Sequence, residues 1–240
     1  VTDFLRERFR KDKIYLMGHS WGSFLGIQVA QRFPDRYHAY IGMSQVSHQM
    51  ESEVLSYQYV LGRFRDLGNT RMVQKLEKTP VIMGAPIPRA YMKLRDGVVH
   101  RLGVGTTRGM KSVLTGVFIP VWRTADYTMM EKVNVWRGKS FSRGLLWDTF
   151  VNTDLATKVT ELEIPAYFCS GRHDHTVSYT QTKTYVEKLR AQVKAFYTFE
   201  HSAHSPAFEE PDRMRQILRG DVLNGRTLLA DGGDHSCPPT

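Results

Sequence analysis

Hydrophobic and polar positions follow two different periods along this chain, and their alternation is interrupted once, by a long helical stretch. Phe4, Leu5 and Phe9 lie on one side of a charged stretch over residues 1–12, which predicts the end of a helix. A short apolar run at 13–17 predicts a strand. The pattern over 21–32 predicts a helix, closed by "FPDR" because proline cannot continue it. "YHAYIGM", residues 37–43, is a second strand. Strand, helix and strand with short connections form the unit of a parallel sheet.

From about residue 44 to residue 148 the strand signal disappears and the chain reads as mostly helical. Met50, Val54, Tyr57, Leu61 and Phe64 recur at steps of four and three, one apolar stripe on a long helix. "MGAPIPRAY" and "GVGTTRG" break this helical stretch as loops. Alternation of strand and helix resumes with "IPAYFCSG" at 164–171, which reads as a buried strand. A helix over roughly 178–192, the strand "KAFYTFE" at 194–200 and a helix from about 209 to 223 follow. The tail from 226 to 240, rich in Gly, Pro and Asp, is expected to be loose.

Gly18-His19-Ser20-Trp21-Gly22 follows the first strand and opens the first long helix. This is the G-x-S-x-G pattern of a nucleophile elbow in the context the pattern requires. The serine of such a turn is strained, and both glycines are expected to pass close to neighbouring backbone where a Cβ would collide. The helix that follows aims its N-terminal amides at the reacting centre. A serine hydroxyl needs a base, and the base needs an orienting carboxylate. Asp174 follows the strand at 164–171, and His204 follows the strand at 194–200. Both therefore fall at strand C-terminal ends, the edge where open α/β sheets gather their ligand sites.

The chain holds 9 histidines, so the choice of base needs an argument. His201 is the competitor to His204, but it lies nearer the strand end with less loop to reach back. His19 sits within the elbow and cannot easily turn onto its neighbour's hydroxyl. His173 and His175 flank Asp174 and are expected to face solvent or shape the loop. Glu51 and Glu53 are alternative acids, in a helical context that better suits an exposed or pocket-lining role. No two histidines have the spacing of a metal site, and no cofactor is expected.

"GHSWGS", "RFPDR", "SGRHD" and "AHSPAFEEP", with a helical insertion between the second and third strands, together resemble the α/β-hydrolase superfamily. Within it the chain is similar to the proline-iminopeptidase-like branch from residue 1 to about 220. The resemblance implies a mostly parallel sheet with a core of residues 1–44 and 149–225, a helical cap over 45–148, and the tail at 226–240. It implies that Ser20 attacks a carbonyl, His204 shuttles the proton, Asp174 orients His204, and the Trp21 backbone N–H donates to the oxyanion. It also implies carboxylates that hold a substrate's free amino terminus, for which Glu51, Glu53, Asp126 and Glu131 are candidates by position. An apolar, aromatic-rich cap would equally suit esters or lactones. Such enzymes normally carry several strands before the elbow, with an HGG- or HGGPG-like loop that supplies a second oxyanion donor. Nothing in the sequence corresponds to that loop. The expectation is the C-terminal portion of a longer hydrolase, with a truncated, non-catalytic binding protein as the rival reading.

Composition bounds the partners. The 240 residues are 41% hydrophobic and 24% charged, ordinary for a globular chain, and no apolar run is long enough to span a bilayer. The net charge of +9 comes from basic residues scattered among helices and loops, without the aromatic interleaving of a nucleic-acid surface. A small-molecule or short-peptide substrate is expected, with neither nucleic acid nor membrane as partner. The two cysteines, Cys169 and Cys237, do not make a disulfide framework and fit a reducing cytoplasm.

Overall fold

The computed structural model describes residues 1–232. Helix α1 (Thr2–Phe9) leads into strand β1 (Ile14–His19), helix α2 (Trp21–Arg32) and strand β2 (Tyr37–Met43). β1 and β2 pair in parallel along their whole length, from Ile14 opposite Tyr37 to His19 opposite Met43. The connection between them is α2 and a single 3-10 turn, Pro34–Arg36, at the proline the sequence singles out.

The long insertion follows. Helices α3 (Gln49–Asp66), α4 (Thr70–Glu77), α5 (Arg89–Arg101), α6 (Ile119–Arg123), α7 (Met129–Asn152) and α8 (Leu155–Lys158) contribute no strand to the main sheet. On α3 the apolar stripe does pack. Met50, Tyr57 and Phe64 are buried, with Val54 and Leu61 partly buried against the same cluster. Loop 103–113 and a π-helical turn, Leu114–Phe118, separate α5 from α6.

Strand β3 (Glu161–Leu162), strand β4 (Ala166–Gly171), helix α9 (Tyr179–Lys188), strand β5 (Arg190–Ala191) and strand β6 (Lys194–Phe199) return to strand–helix alternation. The main sheet runs β1-β2-β4-β6 and is parallel throughout. α9 stops at Lys188, short of the predicted 192, because Leu189 turns extended and Arg190–Ala191 pair with Glu161–Leu162. A ladder of two residues carries no periodic signal. The final predicted helix is α11 (Pro211–Gly220), which stops short of 223, and a four-residue helix that the pattern does not signal, α10 (Pro206–Glu209), precedes it.

Alternate side chains of each strand face opposite sides of the sheet, as the period of two requires. Tyr40, Phe168 and Phe196 join one buried cluster with Phe24 and Ile27 of α2 and Tyr185 of α9. Ile41, Tyr167, Cys169 and Tyr197 join the other, with Met214 and Ile217 of α11. Helices thus cover both faces. Cys169 lies at the centre of the second layer, where burial pushes its thiol up to about 12 and keeps it protonated. β1 is an edge strand, with Tyr15 and Met17 exposed.

Part of the tail departs from expectation. Leu228 and Leu229 donate their N–H groups to the buried Asp221 carboxylate, and Asp231 binds the backbone of Phe196 and Thr198. Aspartates that accept backbone N–H groups tie residues 226–232 to β6 and α11, which composition alone does not reveal. The remainder of the tail, with Cys237, lies outside the described residues.

Candidate active site

Ser20 occupies the turn between β1 and α2 with φ 54° and ψ −119°, a region that L-residues adopt only where surroundings enforce it. Its N–H donates to the Met43 carbonyl at the end of β2, at 3.0 Å. Its own carbonyl accepts the Ser23 N–H at 2.8 Å and the Ser23 hydroxyl at 2.6 Å. A Cβ on Gly18 would lie 2.5 Å from the Gly22 carbonyl oxygen, so that position must be glycine. The collision expected at Gly22 is absent, because a Cβ there meets nothing within 4 Å. Gly18 faces the backbone of the turn, whereas the Cα–H of Gly22 faces open space.

His204 and Asp174 converge on Ser20 from the ends of β6 and β4. His204 Nε2 lies 2.8 Å from Ser20 Oγ, and His204 Nδ1 lies 2.8 Å from Asp174 Oδ2. Because a carboxylate only accepts, Nδ1 carries the hydrogen and Nε2 presents its lone pair to the serine hydroxyl. Asp174 is 1% exposed, and its other oxygen accepts the N–H groups of Thr176 and Val177 at 2.9 and 3.0 Å. These bonds compensate for the buried charge. The set can therefore pass a proton from Ser20 to His204 while Asp174 stabilises the imidazolium.

Five further contacts hold the loop that carries His204. The His204 carbonyl accepts from His19 Nε2 at 2.7 Å and from the Ser44 hydroxyl at 3.0 Å. Burial, reinforced by the nearby His204, lowers the pKa of His19, so it acts as a neutral donor. Ser44 has φ 47° and accompanies Ser20 at the sheet's C-terminal edge. The "FEEP" glutamates reach back over the same loop. Glu209 accepts the Ala203 N–H at 2.8 Å, and Glu210 accepts the His201 N–H and the Ser202 hydroxyl. His201 itself is exposed. His175 stacks on Tyr59 with ring centroids 3.7 Å apart, and burial pushes its pKa down to about 4. It is a packed side chain, and His173 beside it is partly buried.

Trp21 heads α2, where the first amides have no intrahelical acceptor. Its indole stacks on Phe150 of α7, centroids 4.1 Å apart, which ties the insertion to the elbow. A cavity of about 800 Å³ opens between α3, α5 and α7, lined by Met50, Ile87, Met92 and Trp147 with Arg89 and Lys93. The four carboxylates considered for a substrate amine are placed differently from one another. Glu53 is fully buried and bidentate to Arg95, at 2.6 and 2.7 Å, and also accepts from Gln49. Glu131 caps its own helix through Thr128, and Asp126 accepts from Thr124. Glu51 is half exposed and accepts from Gln181 at 2.5 Å. No pattern along the chain signals the Arg95 partner, which comes from 42 residues away on α5.

A family model described as alpha/beta hydrolase fold matches residues 1–211. The chain belongs to the alpha/beta hydrolase fold family. It is a hydrolase, and its curated relatives place it in the proline-iminopeptidase-like branch. It is 31% identical over 222 residues to probable aminopeptidase YbaC of Bacillus subtilis (strain 168), covering 91% of this chain and 68% of that protein. It is 21% identical over 244 residues to a proline iminopeptidase of Heyndrickxia coagulans, covering 92% and 70%. Among solved structures, a proline iminopeptidase-related protein of Thermus thermophilus superposes with a TM-score of 0.56 at 14% identity. That match covers 92% of this chain and 68% of the other, and speaks for the fold alone. Among the described residues, no helix is long and apolar enough to cross a membrane, and no group of three or more His, Cys, Asp or Glu could hold a metal ion.

Proposed function

We propose that this hydrolase cleaves an amide or ester bond of a small substrate through an acyl-enzyme on Ser20. The observation that carries the reading is the unbroken chain from Ser20 Oγ to His204 to Asp174, with both links at 2.8 Å. Ser20 attacks the carbonyl as His204 Nε2 takes its proton. The Trp21 N–H, at the positive end of α2, faces the developing oxyanion. His204 then protonates the leaving group, and water repeats the sequence in reverse to free the acid. A burst of p-nitrophenol, one per chain, from a slowly deacylating ester tests this step. Linear release without a burst, in a preparation with measurable turnover, counts against an accumulating acyl-enzyme.

The leading substrate class is a short peptide or amide with a free amino terminus, of the proline iminopeptidase type. The names of the two curated relatives support it. One observation favours a second reading, an ester or lactone. Glu53, the most enclosed of the candidate amine-holding carboxylates, is already neutralised by Arg95. Proline p-nitroanilide compared with short p-nitrophenyl esters separates the two. Ester turnover without anilide turnover removes the aminopeptidase assignment.

A further inference from the structure

His100 lies at the C-terminal end of α5, within the insertion, and is 3% exposed. Its Nδ1 is 2.5 Å from the Asp96 carbonyl, which only accepts, so Nδ1 carries the hydrogen. Its Nε2 must then be an acceptor, and it receives the Thr106 N–H at 3.1 Å and the Thr106 hydroxyl at 3.0 Å. A single neutral tautomer satisfies all three contacts. The result is a closed loop, in which the chain leaves α5, reverses at Gly103 and returns Thr106 to the imidazole. Gly105 lies flat against the ring, with a Cβ there falling 2.7 Å from His100 Cδ2.

The two carbonyls inside this loop reach both catalytic strand ends. The Gly105 carbonyl accepts the N–H of His204 at 3.2 Å, and the Val104 carbonyl accepts the N–H of His175, next to Asp174, at 3.3 Å. The His204 carbonyl is fixed from the sheet side by His19 and Ser44, so the Gly105 bond supplies the opposing hold on its N–H. Resting on the triad reading above, we propose that His100 is a positioning residue for catalysis. By clasping Thr106 it sets the 104–105 carbonyls that hold the base and acid loops in register, and thereby couples the insertion to the reacting centre. A displacement of the base by about 1 Å costs on the order of 10²-fold in rate.

The test measures inactivation of the full chain by a fluorophosphonate, which needs the nucleophile and base but no knowledge of the substrate. His100→Phe keeps the ring's bulk and removes all three hydrogen bonds, and His100→Gln restores an acceptor near the Nε2 position. The maximal inactivation rate of His100→Phe is expected to fall about 10²-fold, with the half-saturating probe concentration within about twofold of wild type. His100→Gln is expected to recover at least a tenth of the wild-type rate. Gly105→Ala, which pushes the ring from the other side, is expected to reproduce the loss if His100→Phe does not fold. A wild-type rate in folded His100→Phe or Gly105→Ala overturns the role of His100 and leaves the triad standing. A wild-type chain that does not react at Ser20 overturns the triad reading and the role of His100 together.

Discussion

Gly171 passes so close to Ala203 that a Cβ on the glycine would fall 1.9 Å from the Ala203 carbonyl oxygen. This crossing joins the loop that carries Asp174 to the loop that carries His204. Around it, the Arg172 N–H donates to Phe199 and the His173 N–H to Ser202, at 2.9 and 3.0 Å. The 2.8 Å contact between Asp174 and His204 depends on the two loops lying this near one another.

Gly171→Ala is therefore expected to separate the loops, because backbone and not a flexible side chain must yield. We expect a loss of about 2–3 kcal/mol, a fall in Tm of roughly 5–10 °C. Fluorophosphonate reactivity should fall by about 10²-fold, well beyond what the stability loss explains. Calorimetry and labelling rates on the same sample check both.

The two elbow glycines should respond differently. Gly18→Ala forces a Cβ to within 2.5 Å of the Gly22 carbonyl oxygen and should abolish labelling or prevent folding. Gly22→Ala enters open space in the first turn of α2 and should be tolerated, with stability unchanged or raised by about 0.5–1 kcal/mol. Parallel denaturation and labelling of the two variants decide it. Equal damage at both positions would contradict the one-sided packing.

Much of this site is legible along the chain because its parts are tied to local patterns. Ser20, Asp174 and His204 each follow a strand whose apolar run ends shortly before, and parallel strands bring those ends to one edge. The supports are not legible in the same way. Glu53 and Arg95 each look like an ordinary charge on a helix face, and only the packing of α3 on α5 turns them into a buried pair. His100 and Gly105 carry no motif, since their meaning lies in a loop that returns to its own helix. Gly22 matches the elbow pattern, yet nothing in the fold presses on it. Asp221 looks like a charge near the end of the last helix, and Asp231 like a tail residue, until the backbone N–H groups they accept are seen. Each of these depends on how the folded chain turns back on itself, brings helices together or leaves a position open, which a one-dimensional period cannot encode.

The buried pair makes its own prediction. Glu53 is fully enclosed and Arg95 is 10% exposed in the side chain. Glu53→Ala leaves the guanidinium with only the exposed Asp96 carboxylate, at 3.3 Å, and should cost about 3–5 kcal/mol, while Glu53→Ala with Arg95→Met should recover a large part of it. Urea denaturation of the single and double variants measures the coupling. Additive losses would mean the two side chains do not act as a pair.

Acid should weaken the fold through His175. Its folded pKa is pushed down to about 4 from the usual 6.5, chiefly by burial, so the unfolded chain takes up the proton first. Stability is then complete above pH 6.5 and declines as pH falls from 6.5 towards 4, by at most on the order of 2–3 kcal/mol from this residue. His19 and His173 are shifted in the same direction and add to the slope. His175→Phe, which keeps the stacking on Tyr59, should flatten the Tm-against-pH curve in that window. An unchanged slope would mean that His175 does not carry it.

The central claim is that Ser20, activated by His204, is the nucleophile of this hydrolase. Mass-spectrometric mapping of the fluorophosphonate adduct on wild type, Ser20→Ala and His204→Gln tests it most directly. We predict one adduct per chain on the peptide containing Ser20, none in Ser20→Ala, and labelling slowed by about 10³-fold or more in His204→Gln. An adduct that persists in Ser20→Ala, or a folded wild-type chain that takes up no probe, would contradict the account.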